Sequence, residues 1–163
     1  VERAACGVEG CGVDEAMITQ VTPDTLPKLL PMCGQFHEAS GALGGFCPDL
    51  WVESWTQYLD AGAAFILCQQ GDDGDPVGMI GGFLTPDASD GALVAQEAFW
   101  FVDPRERGIG LGLLDAFLSV AETLGAKRVL LTHTRRLKPK ALGRLYRRMG
   151  FKPFETMYAK ELV

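Results

Sequence analysis

The chain is short of the residues that most often announce chemistry. It holds two histidines, His37 and His133, in 163 residues. Its five cysteines, Cys6, Cys11, Cys33, Cys47 and Cys68, are odd in number. Cys6-x4-Cys11 could bind a metal or form a bridge, but no second Cys or His pair completes a site, so free thiols are the better reading. No apolar run approaches the roughly 18 residues of a membrane span. The N-terminal residues lack a basic stretch followed by an apolar one, so no secretory signal is read there, and a cytoplasmic protein without membrane contact is expected. Basic residues are nearly missing from Val1 to Pro104, where two stand against sixteen acidic side chains, a net charge of −14.

What is present sets the fold class. A hydrophobic fraction of 47% in a chain of this length suffices for one domain with a sizeable core. Residues Val1 to Ala16 show neither period and read as a disordered extension or cloning remnant, with Met17 as a native start and residues 17–163 as the domain. ITQVT, from Ile18, reads as a first strand. An apolar-striped helix interrupted by Pro27 and Pro31 follows, then a second helix opened by Pro48 and stopped by Gly62. Ala63 to Gln69 and Val77 to Thr85 read as a hairpin, and Ala92 to Val102 as a long central strand. The helix Gly108 to Leu124, the apolar strand Arg128 to Thr132, the basic helix Lys138 to Met149 and a terminal strand or hairpin from Phe151 to Leu162 complete the pattern. The apolar strand is expected to be parallel to the central one and central in the sheet. The sum is a single mixed α+β or α/β domain: a sheet of six or seven strands flanked by about four helices.

The chain is organised around FWFVDPRERGIGLGLL, Phe99 to Leu114. Asp103-Pro104 ends a buried strand, because proline cannot donate to a sheet ladder. Gly108, Gly110 and Gly112 then open a helix. Its first N–H groups are unpaired, its dipole is positive there, and residues without side chains let an anion approach the backbone. Glycines serving only a tight turn would leave the same trace. The spacing excludes the dinucleotide fingerprint, and no Gly-Lys-Ser/Thr makes a Walker A loop. The charge changes sign here too. From Arg105 onward, thirteen basic and five acidic side chains give +8.

Arg105-x-x-Gly108-x-Gly110, after Val102-Asp103-Pro104, resembles the acetyl-CoA motif of the GNAT superfamily of N-acetyltransferases. Leu145-Tyr146-Arg147-Arg148-Met149-Gly150-Phe151 resembles that family's late LY-x-x-x-GF signature, at the separation the fold requires. The resemblance runs from about Ile18 to the C-terminus and implies a GNAT-like fold and acetyl-CoA as cosubstrate. It implies that Arg105, Arg107, Gly108, Ile109, Gly110, Leu111 and Gly112 hold the pyrophosphate, and that the pantetheine arm pairs with the central strand near Phe101 and Val102. Tyr146 stands where the family protonates the departing thiolate, though a core tyrosine with a wet hydroxyl would occupy the same position. Glu97 is the candidate base, directly or through water, with a solvent-facing residue of an alternating strand as the alternative. His133 reads as a surface or capping residue, and His37 and Glu38 as substrate-side residues. One departure stands out: the Asn that often opens the tyrosine helix is replaced by Leu137-Lys138-Pro139-Lys140.

The activity implied is transfer of an acetyl group to a primary amine on a small molecule or peptide. The acidic half favours a cationic acceptor. The alternative is a non-catalytic acyl-CoA-binding or nucleic-acid-associated module on the same fold. Nucleic acid is the weaker partner, since the whole chain carries −6 and only Tyr146 interleaves the basic residues. No metal is expected, and a homodimer is left open.

Overall fold

A computed structural model describes residues 18–106 and 108–162. The expectations for residues 1–16, for Met17 and for Arg107 lie outside the described residues. One sheet runs in the order β1 (Ile18–Gln20), β2 (Ala64–Gln70), β3 (Pro76–Pro86), β4 (Leu93–Val102) and β5 (Arg128–Leu130). The first four are antiparallel neighbours, and β5 runs parallel to β4. Among the described residues four α-helices, α1 (Leu30–Ser40), α2 (Pro48–Asp60), α3 (Ile109–Thr123) and α4 (Pro139–Arg148), flank it.

Strand periodicity divides the core in two. Successive side chains point to opposite faces, so Ile66, Met79, Phe99 and Phe101 pack with Leu26, Leu29 and Trp55 on the α1–α2 side. Phe65, Leu67 and Ile80 pack with Leu113, Leu114, Phe117 and Tyr146 on the α3–α4 side. The prolines noted in the sequence have a precise consequence. Pro23–Leu29 is a 3-10 helix containing Pro27, and α1 restarts with Pro31 in its first turn, where a missing N–H costs nothing. The parallel step from β4 to β5 is made by α3, the crossover such a pair needs. At Gly78 this helix sits so close to the sheet that an added Cβ would lie 2.7 Å from Leu113 Cδ1.

Three expectations are corrected. The sheet has five strands among the described residues, not six or seven. Residues 151–162 form no strand or hairpin, and Phe154, Met157, Tyr158 and Leu162 are exposed; Pro153 removes a ladder donor from this segment. The apolar strand β5 is parallel to β4 as expected, but it is an edge strand of three residues. Its apolarity reflects packing under helices, since Val129 and Leu131 join the α3–α4 cluster with Leu142 and Leu145.

Candidate active site

The site begins with an irregularity in β4. Gly81 pairs with Phe99 and Gly82 with Glu97, so Ala98 is an extra residue, a β-bulge. The strands approach so closely there that a Cβ on Gly82 would collide with the Gln96 carbonyl oxygen. Phe99 and Phe101 face α1 and α2 beyond the bulge, while Glu97 reaches toward the chain that follows β5. The β4–β5 ladder ends at Gln96 opposite Leu130. In place of the next rung, Glu97 Oε2 accepts hydrogen bonds from Thr132 N–H at 3.0 Å and Thr132 Oγ1 at 2.8 Å. Phe99 to Val102 therefore have strand pairing on their β3 edge alone, and among the described residues the edge of Phe101 and Val102 that faces β5 is left unpaired.

Thr132 also ties in α4. Tyr146, on the inner face of that strongly amphipathic helix, donates from Oη to Thr132 O at 2.9 Å. Its ring is buried, with His133 stacked 6.3 Å away and Phe151 at 6.0 Å. Burial first, and the negative charge of Glu97 second, push the Tyr146 hydroxyl well above its ordinary pKa. Glu97 is buried as well. Burial raises its carboxyl pKa, and the two Thr132 hydrogen bonds oppose the rise. Among the described residues Oε2 carries both bonds and Oε1 accepts none.

At the other end of β4 the chain turns into α3. Gly108 takes φ +87°, a left-handed conformation that costs a residue with a Cβ about 1–2 kcal/mol. Among the described residues no side chain caps the helix, so its opening N–H groups, from Ile109 to Leu111, remain available for an external acceptor. Arg105 is committed differently from the expectation. Its Nε and Nη2 donate to Asp103, the shorter contact being 2.6 Å, and its N–H donates to Asp103 Oδ1 at 2.9 Å. Those bonds hold the Asp103 carboxyl down at about 2. Beside the turn, Trp100 Nε1 is buried without a hydrogen-bond partner among the described residues, and the indole lies 3.4 Å from where a Gly110 Cβ would sit. A free helix N-terminus, glycines that leave the backbone bare, an orphan donor and an unpaired strand edge fit an elongated ligand. Such a ligand has an anionic group at one end and amides along its arm, as coenzyme A does.

On the opposite face of β4 a cavity of about 210 Å³ is lined by Phe36, His37, Phe46, Trp51, Trp55 and Phe99, with Cys33, Met79 and Ala98. His37 Nε2 lies 3.0 Å from Gly44 O. The fold thus gathers Glu97 and Tyr146 on one threonine, and it places Gly108 to Gly112 at the start of α3, just beyond Phe101 and Val102 at the end of β4. His133 stays exposed against Tyr146. Thr132, Trp100 and the aromatic cavity were missed in the sequence. The i, i+4 pair Trp51 and Trp55 was the one visible trace of the last.

No curated protein matches the chain. Solved structures do match it in fold. A ribosomal-protein-alanine N-acetyltransferase from Brucella melitensis biovar Abortus 2308 is 20% identical, with a TM-score of 0.68 over 90% of this chain and 99% of that one. An aminoglycoside acetyltransferase from an uncultured soil metagenomic sample, in complex with sisomicin, is 16% identical, with a TM-score of 0.72 over 93% and 100%. A predicted acetyltransferase with acetyl-CoA from Clostridium acetobutylicum is 11% identical, with a TM-score of 0.72 over 89% and 95%. The model of the acetyltransferase (GNAT) family matches residues 35–151, which hold the bulged strand, the glycine turn and Tyr146, and the chain therefore belongs to the GNAT family.

Proposed function

We propose that the chain is an acetyl-CoA-dependent N-acetyltransferase that acylates a primary amine. The observation that carries this reading is the convergence of Glu97 and Tyr146 on Thr132, at the point where the β4–β5 ladder stops. Acetyl-CoA is the cosubstrate, and its thioester is already activated, so the protein has to position groups and handle protons.

The α3 N-terminus takes the phosphates, and the open β4 edge at Phe101 and Val102 aligns the arm. A backbone N–H there faces the acyl oxygen and stabilises the charge that develops on it. Tyr146 keeps its proton at neutral pH and gives it to the departing sulfur, after its hydroxyl exchanges Thr132 O for that acceptor. Glu97, with Oε1 unbonded and its pKa raised, takes a proton from the incoming ammonium directly or through one water. The acceptor enters through the aromatic cavity beyond the bulge. Two matched relatives are named for acetylating a ribosomal-protein alanine and an aminoglycoside, which supports an amine as the acceptor class.

Screening amines for thiol release from acetyl-CoA tests the reading. Turnover with at least one primary amine is expected. Saturable acetyl-CoA binding without thiol release for any amine would reject it and favour a non-catalytic module. One observation speaks for that second reading: α4 exposes Lys140, Arg144, Arg147 and Arg148 on one helix. Filter binding of nucleic acid at two salt concentrations separates the two, because phosphate contacts give a steep salt dependence.

A further inference from the structure

We infer that the acceptor carries its primary amine on a short arm from an aromatic body, an arylalkylamine, rather than on a polyhydroxylated or polycationic scaffold. This deepens the N-acetyltransferase reading and rests on it.

The argument starts from the walls of the cavity. Trp55 and Phe99 stand 5.1 Å apart at 73°, Trp51 and Phe99 6.2 Å apart, and Phe36 and Phe99 6.4 Å apart. Those separations are typical of packed aromatic pairs, so the rings hold one another in place and present a preformed apolar surface. The polar groups are few. His37 Nε2 already lies against Gly44 O, and the Cys33 thiol donates weakly to Met79 Sδ at 3.9 Å. Among the described residues no carboxylate lines the space.

A sugar ring placed here would leave its hydroxyls without partners, and a second ammonium would meet no anion. An aromatic ring needs neither. The volume of about 210 Å³ falls below the roughly 300–1,000 Å³ of sites that hold drug-sized ligands, which suits one ring system and not a chain of sugars. Ala98 marks where the amine must emerge, since it lines the cavity and stands next to Glu97 on the bulged strand. The acidic excess of the first 104 residues lies outside the walls. Glu38, Asp49 and Glu53 are exposed on α1 and α2. Those charges attract a cation from a distance and set no contact inside.

The test compares 2-phenylethylamine, n-propylamine, spermidine and sisomicin with acetyl-CoA at saturation. It is paired with tryptophan fluorescence titrations of each amine without acetyl-CoA. The expected result is kcat/KM about 10- to 100-fold higher for 2-phenylethylamine than for n-propylamine, a saturable fluorescence change with the ring amine, and the lowest rates for sisomicin and spermidine. Phe46→Ala, at a half-buried side chain of the loop between α1 and α2, and Trp51→Ala should each shrink the ring amine's advantage. If one variant fails to fold, the other decides. Equal or better kcat/KM for n-propylamine, spermidine or sisomicin overturns the inference and leaves the N-acetyltransferase reading standing. A saturable response to 2-phenylethylamine with no thiol release from any amine overturns the N-acetyltransferase reading, and the acceptor role with it, and leaves the cavity as an aromatic-amine binding site.

Discussion

Tyr146 Oη donates to the carbonyl oxygen of Thr132 at 2.9 Å, and the N–H and hydroxyl of that same threonine donate to Glu97 Oε2. One residue after β5 thus holds the proposed acid by its carbonyl and the proposed base by its donors. The two groups are electrically aware of each other, because the charge on Glu97 is among the causes that raise the Tyr146 pKa.

Tyr146→Phe tests the acid. It should lower turnover about 10- to 1000-fold while acetyl-CoA affinity stays within about twofold, the split expected when a proton donor and not a binding contact is lost. The stability cost should be about 0.5–1.5 kcal/mol for one hydrogen bond, as Thr132 is exposed and water can replace the hydroxyl. Turnover within twofold of the parent would remove Tyr146 from the mechanism.

Glu97 also predicts a pH dependence of stability. Its folded pKa is raised above 4.5 by burial, so the folded chain binds its proton more tightly than the unfolded chain does. The stability this contributes is fully present below about pH 4.5 and is lost as pH rises through the folded pKa. Asp103 behaves oppositely. Held at about 2 against an ordinary 3.8, it contributes stability above pH 3.8 that disappears as pH falls through about 2. Chemical denaturation of the parent and Glu97→Gln from pH 4 to 8 should show the parent's relative stability falling with rising pH. A difference that stays flat over that range would contradict the burial of an ionisable Glu97.

At the glycine turn, backbone geometry should outweigh the neighbouring charge. Gly108→Ala forces a Cβ into φ +87° and displaces the N–H groups that open α3, so acetyl-CoA should bind about 10-fold or more weakly by calorimetry. Arg105→Ala should cost less than about fivefold, because that guanidinium is exposed and already occupied by Asp103. The reverse ranking would mean that Arg105 leaves Asp103 to reach the phosphate.

The parts of this fold legible in the sequence are those fixed by local chemistry. Asp103-Pro104 ending β4, Gly108 opening α3 and Gly150 after α4 each act through the backbone of a few residues, and each is where it was expected. β5 shows the limit. Its apolar side chains report helices packed on it, and nothing in three residues encodes whether a further strand pairs with its outer edge. Thr132 was invisible for a related reason, since its bond to Glu97 spans 35 positions and depends on a ladder that stops one residue earlier. The aromatic cavity draws Phe36, Phe46, Trp51 and Phe99 from α1, a loop, α2 and β4. No local pattern joins residues from four separate segments, and Ala98, which lines the cavity, is the residue next to Glu97 on the bulged strand.

Glu97→Gln finally separates a protein base from water. An alkylamine is mostly protonated at neutral pH, and its neutral fraction grows about tenfold per pH unit below its pKa of roughly 10. Glutamine preserves an oxygen for the Thr132 donors, so the geometry is kept and only the proton acceptor is lost. The variant's kcat/KM should fall about 10- to 100-fold near pH 7, and the deficit should shrink steadily toward pH 9–10 as free amine is supplied by the buffer. Salt gives the second axis. With a net −14 in the first 104 residues, raising ionic strength from about 0.1 to 1 M shortens the screening length from about 10 to 3 Å and should lower amine kcat/KM in parent and variant alike. A pH-independent deficit would place Glu97 in the structure and not in the proton transfer. An enzyme insensitive to both salt and Glu97→Gln would point to an amine that arrives neutral and loses its proton to water.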